Sequence, residues 1–248
     1  MINVAVCGSS GKMGQEVVKA VTNSADMQLT AKIDIYNGDF SSIQDAKQSA
    51  DIDVLVDFTQ PDTIYENAKY CLSNGINIVV GTTGLTDEQI DELQKLTEKN
   101  NTSCLIAPNF STGAVLMMMF AKMASKYFDN AEIIELHHNQ KKDAPSGTSI
   151  KTAALMSEEN SNFSKGNCPE KETITGARGG NAYNNIHIHS VRMPGFMASQ
   201  EVIMGSLGQV LTIRHDSFNR ECYMPGVLMA IRYIAENGGF VYGLDNIM

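Results

Sequence analysis

Residues 1–34, MINVAVCGSSGKMGQEVVKAVTNSADMQLTAKID, contain the pattern that decides the fold. Ile2–Cys7 is a continuous apolar run, typical of a buried strand, and Gly8 bounds it. Helical spacing of apolar residues covers about 12–22, and a second strand is expected over Met27–Ile33. A strand, a helix and a strand in this order predict a β-α-β unit with a parallel sheet.

A glycine-rich turn joins the first strand to the helix. Gly8, Gly11 and Gly14 recur every three residues, and Asp34 follows 20 residues after Gly14. Glycine is needed where the backbone turns tightly and approaches a pyrophosphate at a helix N-terminus. A carboxylate at the end of the second strand can bind the adenine ribose hydroxyls. The spacing predicts a dinucleotide site, with a purely structural β-α turn as the alternative.

The acidic residue also predicts which cofactor is preferred. The Asp34 carboxylate would repel the 2′-phosphate of NADPH, so we expect a preference for NADH. Lys12 could neutralise part of that phosphate charge, so NADPH use stays open.

The alternation of strands and helices continues to about residue 108. Further strands are expected over 52–58, 76–80 and 103–107, with Pro61 in the first turn of a helix. Thr86 and Gln89 have the spacing of a capping box.

Two polar segments follow strands of this sheet. They are Gly81-Thr82-Thr83 and Ala107-Pro108-Asn109-Phe110. Open α/β sheets bind ligands at the carboxyl ends of their parallel strands, although each segment could equally be a plain strand end.

After Phe110 strands predominate. They are expected over 132–138, 186–193, 200–206 and 209–214, with a helix after Pro145 and a last helix over 226–236. We therefore predict an α/β protein with an N-terminal Rossmann domain and a C-terminal α+β domain whose mixed sheet is mostly antiparallel. The expected boundaries are 1–108 with 218–248 for the dinucleotide-binding domain, and 109–217 for a domain that binds substrate and forms oligomers.

Composition excludes several classes of protein. The formal net charge of −9 and the absence of a Lys/Arg block argue against nucleic acid as a partner. No apolar run approaches the roughly 20 residues needed to cross a bilayer, and the chain start lacks a signal-peptide pattern. The five scattered cysteines are typical of reduced thiols. A cytoplasmic protein without membrane partners is expected.

The densest group of reactive side chains lies at 135–148, ELHHNQKKDAPSGT. Strand alternation places His137 on the face of Glu135 and His138 on the opposite face. Lys141 follows in the loop, and the helix after Pro145 offers free backbone N–H groups. This combination suits a small dicarboxylate and proton transfer. A solvated polar loop beside a capped helix is the alternative.

Two other features of the sequence are not expected to form a functional site. His187 and His189 share a strand face, but no cysteine or carboxylate stands at metal-site spacing nearby, so no metal is expected. Ser146 lacks the G-x-S-x-G context of a nucleophile and is better explained as a helix cap.

The 135–148 stretch closely resembles the signature of the 4-hydroxy-tetrahydrodipicolinate reductases, also called dihydrodipicolinate reductases. The resemblance runs almost end to end. The other matching stretches are VAVCGSSGKMG at 4–14, DFTQP at 57–61, VGTTG at 80–84, APNFS at 107–111, IHSVRMPG at 188–195 and HDSFNR at 215–220.

The resemblance implies reduction of 4-hydroxy-tetrahydrodipicolinate by NAD(P)H, with loss of water, in lysine and diaminopimelate biosynthesis. It further implies a homotetramer and a Rossmann domain completed by the C-terminal helix. His137 matches the proton donor/acceptor and Lys141 the proton donor. Residues matching substrate contacts are His138, Gly147 and Thr148. Residues matching cofactor contacts are Gly8, Ser9, Ser10, Gly11, Lys12, Met13, Asp34, Gly81, Thr82, Thr83, Ala107, Pro108, Asn109 and Phe110.

Two positions and one segment depart from the family pattern. Lys12 stands where many members have Arg, and Gln60 where some have a basic residue, which weakens the case for NADPH. Ser199 to Val202 lacks a histidine that many relatives carry. Two other functions stay open: a dinucleotide-binding sensor, which would not need the histidine–lysine loop, and a reductase of another imine or carbonyl acid.

Overall fold

The computed structural model describes residues 1–166 and 168–248. Its contacts divide the chain into two compact units. The first unit is Met1–Thr112 with Arg220–Met248, and the second is Gly113–Asn219.

Strands and helices alternate in the first half of the chain, and strands predominate in the second. The strands are β1 Ile2–Cys7, β2 Met27–Ile33, β3 Val54–Asp57, β4 Asn77–Val80, β5 Ser103–Ile106, β6 Asn130–His137, β7 Gly180–Tyr183, β8 Ile186–Arg192, β9 Ala198–Ser206, β10 Gln209–Ser217 and β11 Gly239–Tyr242. The helices are α1 Lys12–Thr22, α2 Ile43–Ser49, α3 Ile64–Ser73, α4 Asp87–Asn100, α5 Thr112–Ser125, α6 Gly147–Glu159 and α7 Met224–Glu236. Within the described residues, none of these helices combines the length and apolar character needed to cross a membrane.

The first unit is built on a parallel sheet with the strand order β11-β5-β4-β3-β1-β2. Every pair in it is parallel, and Cys7 at the end of β1 lies beside both Ile33 and Asp57. The chain moves outward from β1 in one direction to β2 and in the other to β3, β4 and β5. The expected Rossmann-type sheet is confirmed, and its carboxyl edge is where such sheets bind ligands.

The interior strands of this sheet are buried on both faces. Val4, Ala5 and Val6 of β1 have no exposed surface, and neither do Val54, Leu55 and Val56 of β3. This explains why these strands appear in the sequence as continuous apolar runs and not as alternating patterns. The C-terminal helix α7 packs on β4 and β5 with Val227, Ile231 and Ile234 buried.

Of two helix starts predicted from short sequence patterns, one is correct and one is wrong. The capping box of α4 is confirmed: Gln89 N donates to Thr86 Oγ1 at 3.3 Å, and Thr86 N donates to Gln89 Oε1 at 3.0 Å. The placement of Pro61 inside a helix is wrong. The Gln60 carbonyl instead accepts from Thr63 N and Ile64 N in a preceding turn, and α3 begins only at Ile64.

The second unit contains a mixed sheet with the order β10-β9-β6-β8-β7. Strands β6 and β8 are parallel, and the other pairs are antiparallel. α6 lies between β6 and β8 in the chain, and its Ala153 and Met156 pack in one buried cluster with Ile133 and Val202. The expected mixed, mostly antiparallel sheet is therefore confirmed.

Candidate active site

The glycine turn after β1 is too crowded for larger residues. Gly8 has φ +79°, and a Cβ there would lie 2.3 Å from the Phe58 carbonyl oxygen. A Cβ on Gly14 would lie 2.0 Å from the Gly8 carbonyl oxygen. Side chains are thus excluded where a pyrophosphate would approach the backbone.

The N-terminus of α1 fits an anion. Gly11 is the N-cap, no side chain among the described residues caps the helix, and no acidic residue lies in its first turn. The N–H groups of Lys12 and Met13 therefore stay available to a ligand, and the helix dipole favours negative charge there. Ser9 and Ser10 complete the turn between β1 and this helix end.

Asp34 lies at the end of β2, against the same turn. Its carboxylate accepts hydrogen bonds from Ser10 N at 3.1 Å and from Tyr36 N at 2.9 Å. Burial raises the pKa of Asp34, but the hydrogen bonds from Ser10, Tyr36 and Asn37 outweigh it, so the pKa lies below its ordinary value. The residue is ionised at neutral pH and places a negative charge beside the glycine turn.

A buried carboxylate that the sequence reasoning missed connects two further loops. Asp57, at the end of β3, is fully buried. Its Oδ1 accepts from Thr59 Oγ1 and Thr82 Oγ1, both at 2.7 Å, and from Thr59 N at 3.0 Å. Its Oδ2 accepts from Asn67 Nδ2 at 2.9 Å. The available signal was an acidic residue ending an otherwise apolar strand.

The loops after β4 and β5 lie at the same carboxyl edge. A Cβ on Gly81 would lie 2.2 Å from the Phe58 ring, so glycine leaves room for that ring. The Phe58 and Phe110 ring centroids are 5.8 Å apart. Asn109 Oδ1 accepts from Ser111 N at 2.9 Å and shapes the turn after β5. Exposed or half-buried residues of the two loops are Gly81, Thr83, Pro108 and Asn109, whereas Thr82 and Ala107 are buried.

The second unit holds the histidine–lysine loop at the end of β6. His137 lies on the face of Glu135, as strand alternation predicts, and its Nδ1 contacts Glu135 Oε2. Glu135 has no exposed surface. It receives two parallel hydrogen bonds from Arg192 of β8, at 2.8 and 2.7 Å. The sequence reasoning assigned no role to Glu135 or Arg192.

These contacts set the charges at the end of β6. Burial raises the pKa of Glu135, but hydrogen bonds from Arg192, Ser190 and His137 outweigh it, so its pKa lies below the ordinary value. Burial lowers the pKa of His137. The positive charges of Lys141 and Arg192 lower this pKa further, and Glu135 offsets only part of the decrease. At neutral pH the pair is thus a carboxylate and a neutral imidazole.

Lys141 stands in the loop that follows β6. Its ammonium group binds both carboxylate oxygens of Asp143, at 2.8 and 2.9 Å. Only 20% of the Lys141 side chain is exposed, against 61% for Asp143. Arg192 also donates to the Asp143 carbonyl at 2.7 Å, which ties this loop to β8.

The start of α6 is fixed by a buried polar chain. Ser146 caps the helix by accepting from Ser149 N at 3.2 Å, and Ser149 Oγ donates to Gln200 at 2.7 Å. The first turn contains no acidic residue, and a Cβ on Gly147 would meet nothing within 4 Å. The N–H groups of Gly147 and Thr148 could therefore bind an anion.

Three other histidines make different contacts. His138 is exposed, and its Nδ1 accepts from Gln140 N at 3.2 Å. His187 contacts the Arg178 carbonyl at 2.6 Å, and His189 contacts Glu132 at 2.7 Å. In the described part of the chain, no group of three or more His, Cys, Asp or Glu side chains could hold a metal ion.

Comparison with known proteins gives matches over the whole chain. Residues 2–110 match the family model "Dihydrodipicolinate reductase, N-terminus", and residues 113–248 match "Dihydrodipicolinate reductase, C-terminus". The 4-hydroxy-tetrahydrodipicolinate reductases of Gloeothece citriformis and of a Picosynechococcus species are 48% and 47% identical, with 100% of this chain and 98% of each relative covered.

Solved structures show the same similarity. A dipicolinate-bound dihydrodipicolinate reductase from Paenisporosarcina sp. TG-14 superimposes with a TM-score of 0.93 at 43% identity, and all of both chains is covered. A probable dehydrogenase from Thermotoga maritima, at 11% identity and a TM-score of 0.67, shares the fold alone.

Proposed function

The chain belongs to the dihydrodipicolinate reductase family, and we infer from this premise that it reduces 4-hydroxy-tetrahydrodipicolinate to tetrahydrodipicolinate with NAD(P)H. This is a step of lysine and diaminopimelate biosynthesis. A hydride and a proton enter the substrate, its hydroxyl group leaves as water, and NAD(P)⁺ is released. One observation carries the inference: the end-to-end family match includes both the glycine turn and the histidine–lysine loop.

The first unit supplies the cofactor site. NAD(P)H fits the crowded turn at Gly8, the uncapped start of α1 and the carboxylate of Asp34, and it supplies the hydride when bound. The loops at 81–83 and 107–110 line the same carboxyl edge of the sheet. In domain terms, residues 1–108 with 218–248 bind the dinucleotide.

We propose that NADH is the preferred cofactor. Asp34 is ionised, so a 2′-phosphate beside it would meet a second negative charge. Lys12 is the nearest basic residue in the turn sequence, and Gln60 is neutral. The test is the ratio of kcat/KM for NADH to that for NADPH, with Asp34→Ser as the variant. A wild-type enzyme that strongly prefers NADPH would contradict this assignment.

The second unit, residues 109–217, supplies the substrate site. The relative from Paenisporosarcina binds dipicolinate, a ring with two carboxylates. We propose that one substrate carboxylate is bound by the N–H groups of Gly147 and Thr148, and that His138 and Lys141 contact the substrate from the preceding loop. Backbone donors at a helix start and a nearby ammonium group recognise carboxylates by charge and by hydrogen bonding.

Two side chains transfer protons. Lys141 matches the proton donor of the family, and its side chain is mostly shielded from solvent. His137 accepts or donates a proton through its ring. Positioned acids and bases of this kind contribute roughly 10²–10⁴ in rate.

The assembly is proposed to be a cytoplasmic homotetramer formed through the second unit. On the face of its sheet opposite the buried cluster, Ile134, Leu136 and Ile203 are only half-buried, and 69% of Val210 is exposed. Apolar side chains exposed on a sheet face are commonly covered by another subunit. Sedimentation velocity should give the mass of four chains, and a monomeric mass at micromolar concentration would overturn this.

A coupled assay tests the reaction itself. Aspartate semialdehyde, pyruvate and the upstream synthase generate the substrate, and oxidation of NADH or NADPH is followed by absorbance. Oxidation should require both the synthase and the chain. A dinucleotide-binding sensor would bind NADH without oxidising it, and a reductase of another acid would oxidise NADH only with a different substrate. Either result would contradict the proposed function.

A further inference from the structure

Glu135 is an unusual residue for the buried face of a strand. Its side chain is completely buried on the same face of β6 as the apolar Ile133. Burying a carboxylate costs several kcal/mol unless partners compensate it. Arg192 donates two hydrogen bonds to it, and Ser190 and His137 contact it as well.

The contact between Glu135 and His137 decides how the imidazole is protonated. An ionised carboxylate only accepts hydrogen bonds, so His137 Nδ1 must carry the proton in that contact. In the neutral ring the proton is then absent from Nε2, which keeps a free lone pair. Only one of the two neutral tautomers of His137 is compatible with the ionised Glu135.

We propose that Glu135, held in place by Arg192, is a positioning residue that fixes His137 as the Nδ1–H tautomer and stabilises its imidazolium form after proton uptake. This rests on the proposed function, in which His137 exchanges a proton with the substrate. Glu135 acts through His137 and needs no contact with the substrate. Removing the carboxylate should therefore change turnover more than substrate binding.

Arg192 extends this arrangement to the second proton-transfer group. The same guanidinium that binds Glu135 donates to the Asp143 carbonyl at 2.7 Å, and the Asp143 carboxylate binds Lys141. One ion pair thus orients the histidine directly and the lysine through its loop.

The same strand offers a matched control. Glu132 lies three residues earlier on the opposite face of β6. It binds Arg178 at 2.6 Å and His189 at 2.7 Å, so it also joins an arginine and a histidine. None of these three residues belongs to the proposed site.

The experiment compares Glu135→Gln with Glu132→Gln. In substrate-free protein, ¹⁵N NMR of the histidine rings reports the tautomer of His137, with His137→Gln used to assign its signals. We expect the Nδ1–H tautomer in the wild type and a shift toward Nε2–H in Glu135→Gln. In the coupled assay, Glu135→Gln should lower kcat by about 10²-fold, within the range of a lost proton transfer. The KM for substrate should change by less than about threefold. Glu132→Gln should stay within about twofold in both constants.

Three results would overturn the proposal: an Nε2–H tautomer in the wild type, an unchanged tautomer in Glu135→Gln, or equal losses of kcat in the two glutamate variants. The wild-type spectrum needs no turnover and only His137→Gln for its assignment, so it decides the matter even if Glu135→Gln does not fold. Failure of the wild type to turn over the substrate would refute the proposed function instead, which keeps the two failures distinguishable.

Discussion

Asp57→Asn is the substitution that best tests how the cofactor edge is held together. The variant keeps the shape of the side chain, and its oxygen can still accept from Thr59 and Thr82. With the Asn67 amide kept in its present orientation, however, the new amide group would face Asn67 Nδ2, which now donates to Asp57 at 2.9 Å. Two donors would then meet in a buried site, and the remaining bonds would lose the assistance of the negative charge.

The cost follows from these contacts. A hydrogen bond to a charged group contributes about 1.5–3 kcal/mol, and a buried donor left without a partner costs about 1–3 kcal/mol. Together they predict a loss of about 2.5–6 kcal/mol in the free energy of unfolding. Because Asp57 holds the loops at 57–61 and 81–83, the KM for NADH should rise as well.

Urea unfolding followed by circular dichroism and steady-state kinetics measure the two effects. The double variant Asp57→Asn with Asn67→Asp restores a donor opposite an acceptor, so it should recover at least about 1 kcal/mol of the loss. A single variant within about 0.5 kcal/mol of the wild type, or a double variant no better than the single one, would refute this reasoning.

Three shorter predictions follow from other sites. Lys141→Ala and His137→Ala should each lower kcat by roughly 10²–10⁴-fold in the coupled assay. Both variants should still bind NADH in a fluorescence titration. Near-normal turnover in both variants would contradict the assigned proton-transfer roles. Gly8→Ala should lower the Tm and weaken NADH binding, because φ is +79° and the new methyl would lie 2.3 Å from a carbonyl oxygen; an unchanged Tm would show that the turn can relax. The pKa of His137 lies below its ordinary 6.5 in the folded protein. As the pH drops below 6.5, the imidazole therefore binds a proton more readily in the unfolded chain than in the folded one, and the free energy of unfolding falls. His137→Gln should reduce this loss in urea unfolding at several pH values, and parallel pH profiles would contradict it.

The glycine turn shows how much local sequence can determine. Ile2–Cys7, Lys12–Thr22 and Met27–Ile33 have the predicted bounds, because their apolar spacing and the glycines report on short-range sterics and burial. The capping box of α4 was predictable for the same reason, since both partners lie within four residues. The helix boundary near Pro61 was predicted wrongly because a proline fits a turn that precedes a helix as well as it fits the first turn of the helix.

Other elements gave weaker signals. Strand β11 is only four residues long and becomes a strand through its pairing with β5. Strand β7 lies in a polar stretch, Gly180–Tyr183, and is exposed along its whole length. Short strands of this kind are stabilised by a neighbour that is remote in the chain, so periodicity alone does not identify them.

The sequence by itself determined the parallel sheet, the glycine turn and the positions of His137 and Lys141, because each depends on residues close together in the chain. Only the tertiary structure paired Glu135 with Arg192, which is 57 residues away, and enclosed Asp57 with Thr82, 25 residues away. Those partners are chosen by strand register: β6 lies beside β8 with His137 opposite Arg192, and β3 lies beside β4 with Asp57 opposite Val80. Register is fixed when whole strands pack, so no local pattern shows which distant side chain will neutralise a buried carboxylate.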